Sequence, residues 1–302
     1  MKFMVSILLG LNLLVQGTVL PASSCFIPNV TVPLSPAAQT DTAPAADLNI
    51  SAPSAILMEA FGYYPLYLPA AGLALCSMAD KRLALLWRAL GGAAALAGCA
   101  ALALHSFTGL CRRSVPMPAL FTCAVWLVLA VGGALALRCA GSSAARLGRA
   151  RFVCFWGTVY FAAELIAINL LKLVWARTRF DDMLAAGDFS HFTSWLQPFG
   201  QGGSSFPSGH TASACGIFML LIVCDVSARF ARRRGLVWAV CWAYVAGMAL
   251  SRMAMGRHFL SDTVMAAGVM AALFLALTHT GAYRKSLASA LDFADAPPDS
   301  AP

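Results

Sequence analysis

The feature that most restricts this chain is a succession of uncharged apolar runs, each close to the thickness of a bilayer's hydrocarbon core. They extend from Ala60 to Ala79, Ala89 to Cys111, Ser114 to Leu137, Gly235 to Ser251 and Thr263 to Ala282. Runs of this length read as transmembrane helices. Two further spans tolerate one carboxylate each. Phe152 to Ala176 holds Glu164, and Ser208 to Ala228 holds Asp225 near its end. Of 302 residues, 60% are hydrophobic and 11% charged, too apolar for an ordinary soluble domain. The formal charge of +8 would suit a nucleic-acid binder, but the basic residues fall in short clusters between apolar runs, which topology explains better.

Those clusters set an orientation. Alternating sides along the spans places Lys2, Lys81, Arg82, Arg88, Arg138, Arg146, Arg149, Arg151, Arg229, Arg232, Arg233, Arg234, Arg284 and Lys285 on one side, which the positive-inside rule makes cytoplasmic. Only Arg112 and Arg113 run against the rule outright. The remaining cations, Lys172, Arg177, Arg179, Arg252 and Arg257, collect on the other side, beside the residues that carry chemistry.

The chain ends of the spans hold those residues. His258 and Asp262 stand four apart, a spacing that puts an imidazole and a carboxylate on one helical face. Arg252 lies nearly opposite His258 on a continuous helix, so a shared site needs a break between them, and Gly256 is placed to supply it. Upstream come Pro207-Ser208-Gly209-His210 and the pair Lys172 and Arg179. A phosphoryl group in transfer is stabilised chiefly by positioning and by surrounding cations. Lys172 and Arg179, about two turns apart if the helix persists, and Arg252 with its planar fork provide them. Ser208 and Gly209 precede an apolar helix, whose N-terminus attracts anions.

The three blocks resemble the KxxxxxxRP, PSGH and SRxxxxxHxxxD signatures of the phosphatidic acid phosphatase type 2 superfamily of membrane lipid phosphatases. The resemblance runs from Lys172 to Asp262, with Phe180 standing where the family has proline, a change expected to affect only the local turn. It implies a catalytic set of His258 as nucleophile, Asp262 as the partner holding its tautomer, and His210 as the acid that protonates the leaving oxygen and later activates water. It implies a phosphate-binding set of Lys172, Arg179, Ser208, Gly209 and Arg252. Arg177 and Arg257 fall outside the blocks and read as membrane-edge cations. No metal-ligand spacing is present among the cysteines and histidines, so neither a metal nor another cofactor is expected.

The remaining segments follow. Residues 1–25, with Lys2 before an uncharged run, read as a secretory signal peptide or an uncleaved signal anchor. Residues 26–53 read as a flexible extracytoplasmic linker, 54–80 as an additional span, 81–283 as the phosphatase core and 284–302 as a disordered cytoplasmic tail. The expected fold is all-α: a polytopic transmembrane helical bundle with a six-helix core over 84–105, 114–137, 152–176, 208–228, 235–253 and 261–282, plus one extra N-terminal span. The loop from Arg177 to Phe206 is expected as a polar, mobile rim over the site. Glu164, about two turns before Lys172, reads as an interhelical hydrogen-bonding group, and Asp225 as a helix-end partner of Arg229. The implied function is a lipid phosphate phosphatase of the cytoplasmic membrane with its site facing the periplasm or outside. Its partners are the lipid phosphate and membrane lipids, and not nucleic acid. Phosphate transfer to lipid A and an anion transporter are the alternative readings; a transporter would not need His258 paired with Asp262.

Overall fold

The computed structural model describes residues 25–27, 30–32, 58, 60–80, 83–112, 119–120, 122–127, 133, 143–200 and 202–295. Apart from a short antiparallel pair, β1 (Cys25–Ile27) and β2 (Val30–Val32), the regular structure is helical. The helices are α1 (Tyr64–Ala79), α2 (Leu85–Arg112), α3 (Ala144–Trp175), α4 (Phe180–Ala186), α5 (Gly209–Ala214), α6 (Met219–Val226), α7 (Ala228–Ala231), α8 (Arg234–Ala254), α9 (Leu260–Thr278) and α10 (Gly281–Asp295). The stretches Ala144–Met183, Gly209–Val226, Arg234–Ala254 and Leu260–Thr278 are long and apolar enough to cross a membrane. Their exposed side chains agree: Ile166, Leu170 and Leu173 line one face of α3 at 63%, 56% and 76% exposure. In water such a stripe would be costly, whereas in hydrocarbon it faces its own kind.

The chain divides into two compact units. One carries Leu165–Ala212 and Ala246–Ala271; the other carries Ser213–Val245 with the described parts of Glu59–Glu164 and Ala272–Pro302. In the second unit, α1 and α2 are antiparallel. Tyr64 at the start of α1 meets Ser106 near the end of α2 at 2.9 Å, and Arg88 near the start of α2 donates to the carbonyl of Met78 near the end of α1. The first basic turn of α3 is tied in by Arg151, which donates to Asp80 over 2.6 Å. Ser213 donates to the buried Glu164 at 3.4 Å, the interhelical bond expected for that carboxylate.

Several boundaries differ from the expected ones. Helix α3 begins at Ala144, because Ala144 to Arg151, Gly148 apart, are strong helix formers; at 32 residues it is about 48 Å long, longer than a hydrocarbon core. The span at 208–228 is subdivided, tightening to a 3₁₀ turn at Cys215–Phe218, where the Cys241 thiol takes up the carbonyl of Ile217. Asp225 pairs with Arg234 and not with Arg229, since extended Ser227 (φ −135°, ψ 110°) separates α6 from the short helix that carries Arg229. The stretch expected as an additional N-terminal span holds α1, a shorter apolar helix that is not among the four long enough to cross. The 114–137 span lies outside the described residues except for short helical pieces, as do residues 1–24 and nearly all of the linker.

The tail is corrected. Residues 284–295, expected to be disordered, belong to α10. Thr280 caps it by accepting the N–H of Tyr283 at 3.1 Å, and Tyr283 packs on Phe152 and Trp156 at 5.2 and 5.1 Å. The Tyr283 hydroxyl donates to Asp225 at 2.6 Å. The aspartates that suggested a tail hid a helix anchored by one aromatic residue at its first turn.

Candidate active site

The site lies within the unit that carries Leu165–Ala212 and Ala246–Ala271. Its first block does not stay helical. Helix α3 ends at Trp175, Ala176 takes φ 45°, and Arg177 to Arg179 turn away before α4 begins. Lys172 therefore stands in the last turn of α3, where the helix C-terminus favours a cation, and Arg179 stands on the turn, donating to Ser204 at 3.1 Å. The two-turn helical register expected for these cations is replaced by a bend.

The segment 199–205 is bonded onto that bend. The N–H groups of Phe199, Gly200, Gly203 and Ser205 donate to the carbonyls of Val174, Trp175, Ala176 and Arg177, at 2.8 to 2.9 Å. Gly203 is needed there, because a Cβ would collide with the carbonyl of Arg177. Beneath it Phe180, Met183 and Phe259 form a buried cluster with Phe189 and Phe192 packed against it. Between Arg177 and Phe206, expected as a polar, mobile rim, the described residues thus carry an aromatic cluster and backbone bonds onto the bend. Phe180 is 1% exposed, with ring contacts to Phe259 at 5.8 Å and Phe189 at 6.0 Å. Its role is packing, beyond the local turn.

The third block shows why Arg252 and His258 can share a site. Helix α8 ends in a Schellman arrangement: Arg257 N–H donates to the carbonyl of Arg252, Gly256 N–H donates to that of Met253, and Gly256 takes φ 64°. His258 follows the reversal and precedes α9, so it does not share a helical face with Asp262. The pair meets nonetheless, His258 Nδ1 lying 3.4 Å from Asp262 Oδ2. Asp262 also closes the start of α9 by accepting the N–H of Phe259 at 3.1 Å, a capping-box contact.

Asp262 is the hub. It is fully buried, and besides His258 and Phe259 it receives the hydroxyl of Ser205 at Oδ2 and Nη1 of Arg177 at Oδ1, the latter at 2.8 Å. Its backbone carbonyl accepts the N–H of Ser208 at 3.0 Å, which joins the second block to the third. Ser208 in turn caps α5, its hydroxyl accepting the N–H and the hydroxyl of Thr211, and Gly209 and His210 form the first turn that follows. Arg252 is 2% exposed, with Nη1 against the sulfur of Met255.

Electrostatics favour a neutral His258. Burial pushes its imidazole below the usual range, Asp262 pulls it back up, and the positive charges of Arg252 and Lys172 lower it again. Lys172, Arg252, His258, Asp262 and Ser208 are therefore brought to one place by direct bond or by field. Arg177 and Ser205 were missed as site residues. Arg177 sits two residues before Arg179 and was read as a membrane-edge cation, yet it is 1% exposed and bonded to the site's carboxylate. For Ser205 the sequence offered no spacing to notice. Among the described residues no group of His, Cys, Asp and Glu is arranged to hold a metal ion.

An apolar helical chain with a carboxylate-held histidine set among cations is equipped to handle a phosphate group within a membrane. Comparison with family models agrees: residues 153–286, a stretch that carries every residue named in the site, match the PAP2 superfamily. The superfamily includes lipid phosphatases, and the chain is an integral membrane protein. No curated protein and no solved structure matches the chain.

Proposed function

We propose that the protein is a lipid phosphate phosphatase that works through a phosphohistidine. The observation that carries this reading is the buried contact of His258 Nδ1 with Asp262, which leaves Nε2 as the nitrogen to attack, under the charges of Lys172 and Arg252. A pathway for anions would have use for the cations but not for a carboxylate-oriented imidazole.

Lys172, Arg179 and Arg252 hold the phosphoryl oxygens, with the Ser208 and Gly209 end of α5 beside them. Nε2 of His258 attacks phosphorus; the P–N bond forms as the bond to the lipid oxygen breaks. His210, protonated, gives its proton to that departing oxygen. The positive charge on His258 is balanced by Asp262. Water then attacks phosphorus, His210 takes a proton from it, the P–N bond breaks, and inorganic phosphate leaves. The substrate is a phosphomonoester or diphosphate of a lipid, such as phosphatidylglycerophosphate, phosphatidate, undecaprenyl diphosphate or a lipid A phosphate. The bias of Lys and Arg supports a site on the outer face of the cytoplasmic membrane.

Purified protein assayed for phosphate release against a panel of these lipids tests the reading. Release from at least one of them, with label on the protein after rapid quenching, is expected. Absence of release from every lipid and from an aryl phosphate would overturn it.

A further inference from the structure

Arg177 is bonded directly to the catalytic carboxylate. Its Nη1 donates to Asp262 Oδ1 and to the hydroxyl of Ser261, both at 2.8 Å. Its guanidinium carbon lies 4.0 Å from the centre of the Phe259 ring and 5.0 Å from that of Phe192. Aromatic faces and the carboxylate thus hold the cation in place, away from water. The contact uses the carboxylate oxygen that His258 does not, and Ser205 and the Phe259 N–H occupy the oxygen that His258 does.

We propose that Arg177 is the positioning residue of this site: it locks the Asp262 carboxylate in the orientation that presents Oδ2 to His258 and balances its charge, without touching the phosphate. This rests on the phosphatase reading. A carboxylate held by one partner could rotate or take up a proton once buried; one held at both oxygens keeps its charge and direction. The balance also limits how strongly Asp262 can draw a proton onto His258. The groups that act on that imidazole are Lys172 from α3, Arg252 from α8, Asp262 from α9 and the Ser205 hydroxyl. Removing Arg177 leaves Asp262 unbalanced, so His258 holds a proton to higher pH.

The test combines kinetics with ¹⁵N-histidine NMR in detergent, His258 being assigned through His258→Asn. In Arg177→Met, kcat should fall about a hundredfold, less than the ~10⁴-fold that an altered orienting carboxylate costs in a serine–histidine–aspartate triad, while KM stays within about twofold. The titration midpoint of His258 should rise by about one pH unit. Arg177→Lys keeps the charge but not the planar fork; it should leave the midpoint near the wild-type value while kcat falls about tenfold. In an Asp262→Asn background, where no buried carboxylate is left alone, Arg177→Met should change kcat by less than about twofold. A rise in KM would make Arg177 a substrate ligand. A loss of kcat with an unmoved His258 midpoint, or full additivity with Asp262→Asn, would make it purely structural. Either result overturns the proposal. The titration needs no turnover, so it is read even if the phosphatase reading itself fails in the lipid panel.

Discussion

The backbone N–H of Ser208 donates to the carbonyl of Asp262 at 3.0 Å. Through that one bond the cap of α5 and the first turn of α9 hold each other, so the residues flanking them, His210 and His258, are set by backbone and not by side-chain chance. Side-chain links then draw in the bend after α3, since Arg177 on it and Ser205, bonded to its backbone, both end on the same carboxylate.

The two histidines should fail differently. His258→Ala removes the proposed nucleophile and should lower turnover by at least about 10³-fold on lipid and aryl phosphates alike, with no labelled protein. His210→Ala should fail on the lipid, whose alkoxide leaves poorly, yet still be phosphorylated by an aryl phosphate whose phenol departs unaided. Lacking its base for water, that phosphoenzyme should accumulate as acid-labile, base-stable label on intact protein. Label in the His258 variant alone would exchange the roles.

Phe180→Pro, which would keep or raise activity if only the local turn were altered, should instead be destabilising. The ring is fully buried against Phe259 and Phe189, and truncating such a side chain costs roughly 3–5 kcal/mol. Thermal denaturation in detergent should show a lowered midpoint for Phe180→Pro and a smaller loss for Phe180→Leu. Unchanged midpoints would mean the aromatic cap does not contribute to stability.

The pH profile follows from the sign of the His258 shift. Attack needs the neutral imidazole, and burial with two nearby cations lowers its proton affinity, so the neutral form persists into more acidic solution. The acid limb of kcat/KM should therefore lie below the usual histidine value of about 6.5. Lys172→Met removes one of the cations and should move that limb upward. A limb that stays in place in the variant would show that the Lys172 charge does not reach His258.

The crossing at Gly209–Val226 can be checked by labelling. Single cysteines at Gly202→Cys and Arg233→Cys, in a cysteine-free background, flank that stretch. They should react with an impermeant reagent from opposite sides of the membrane, Gly202→Cys from outside. Reaction of both from one side would remove this crossing.

What could be read from the residues in order was whatever depends on local composition and spacing. Apolar length revealed the helices, because the bilayer tests each run separately. Gly256 announced a reversal between Arg252 and His258, because only a residue without Cβ takes φ 64° cheaply. Glu164 announced a hydrogen bond, because a lone carboxylate in hydrocarbon is costly. The reading failed where a residue's meaning depends on a partner far along the chain. Asp225 chose Arg234 over the nearer Arg229 once Ser227 had broken the helix, and Tyr283 turned an acidic tail into α10 by finding Asp225. Arg177 looked like its neighbours at a membrane edge, since nothing beside it records that Asp262 will arrive. The apolar helices, the order of the three blocks and the chemistry open to their side chains were therefore legible in the residues alone. The bond between Arg177 and the carboxylate came from folding, because burial makes that choice: away from water, Asp262 must be met by donors, and the chain's path brought Arg177 and Ser205 to it.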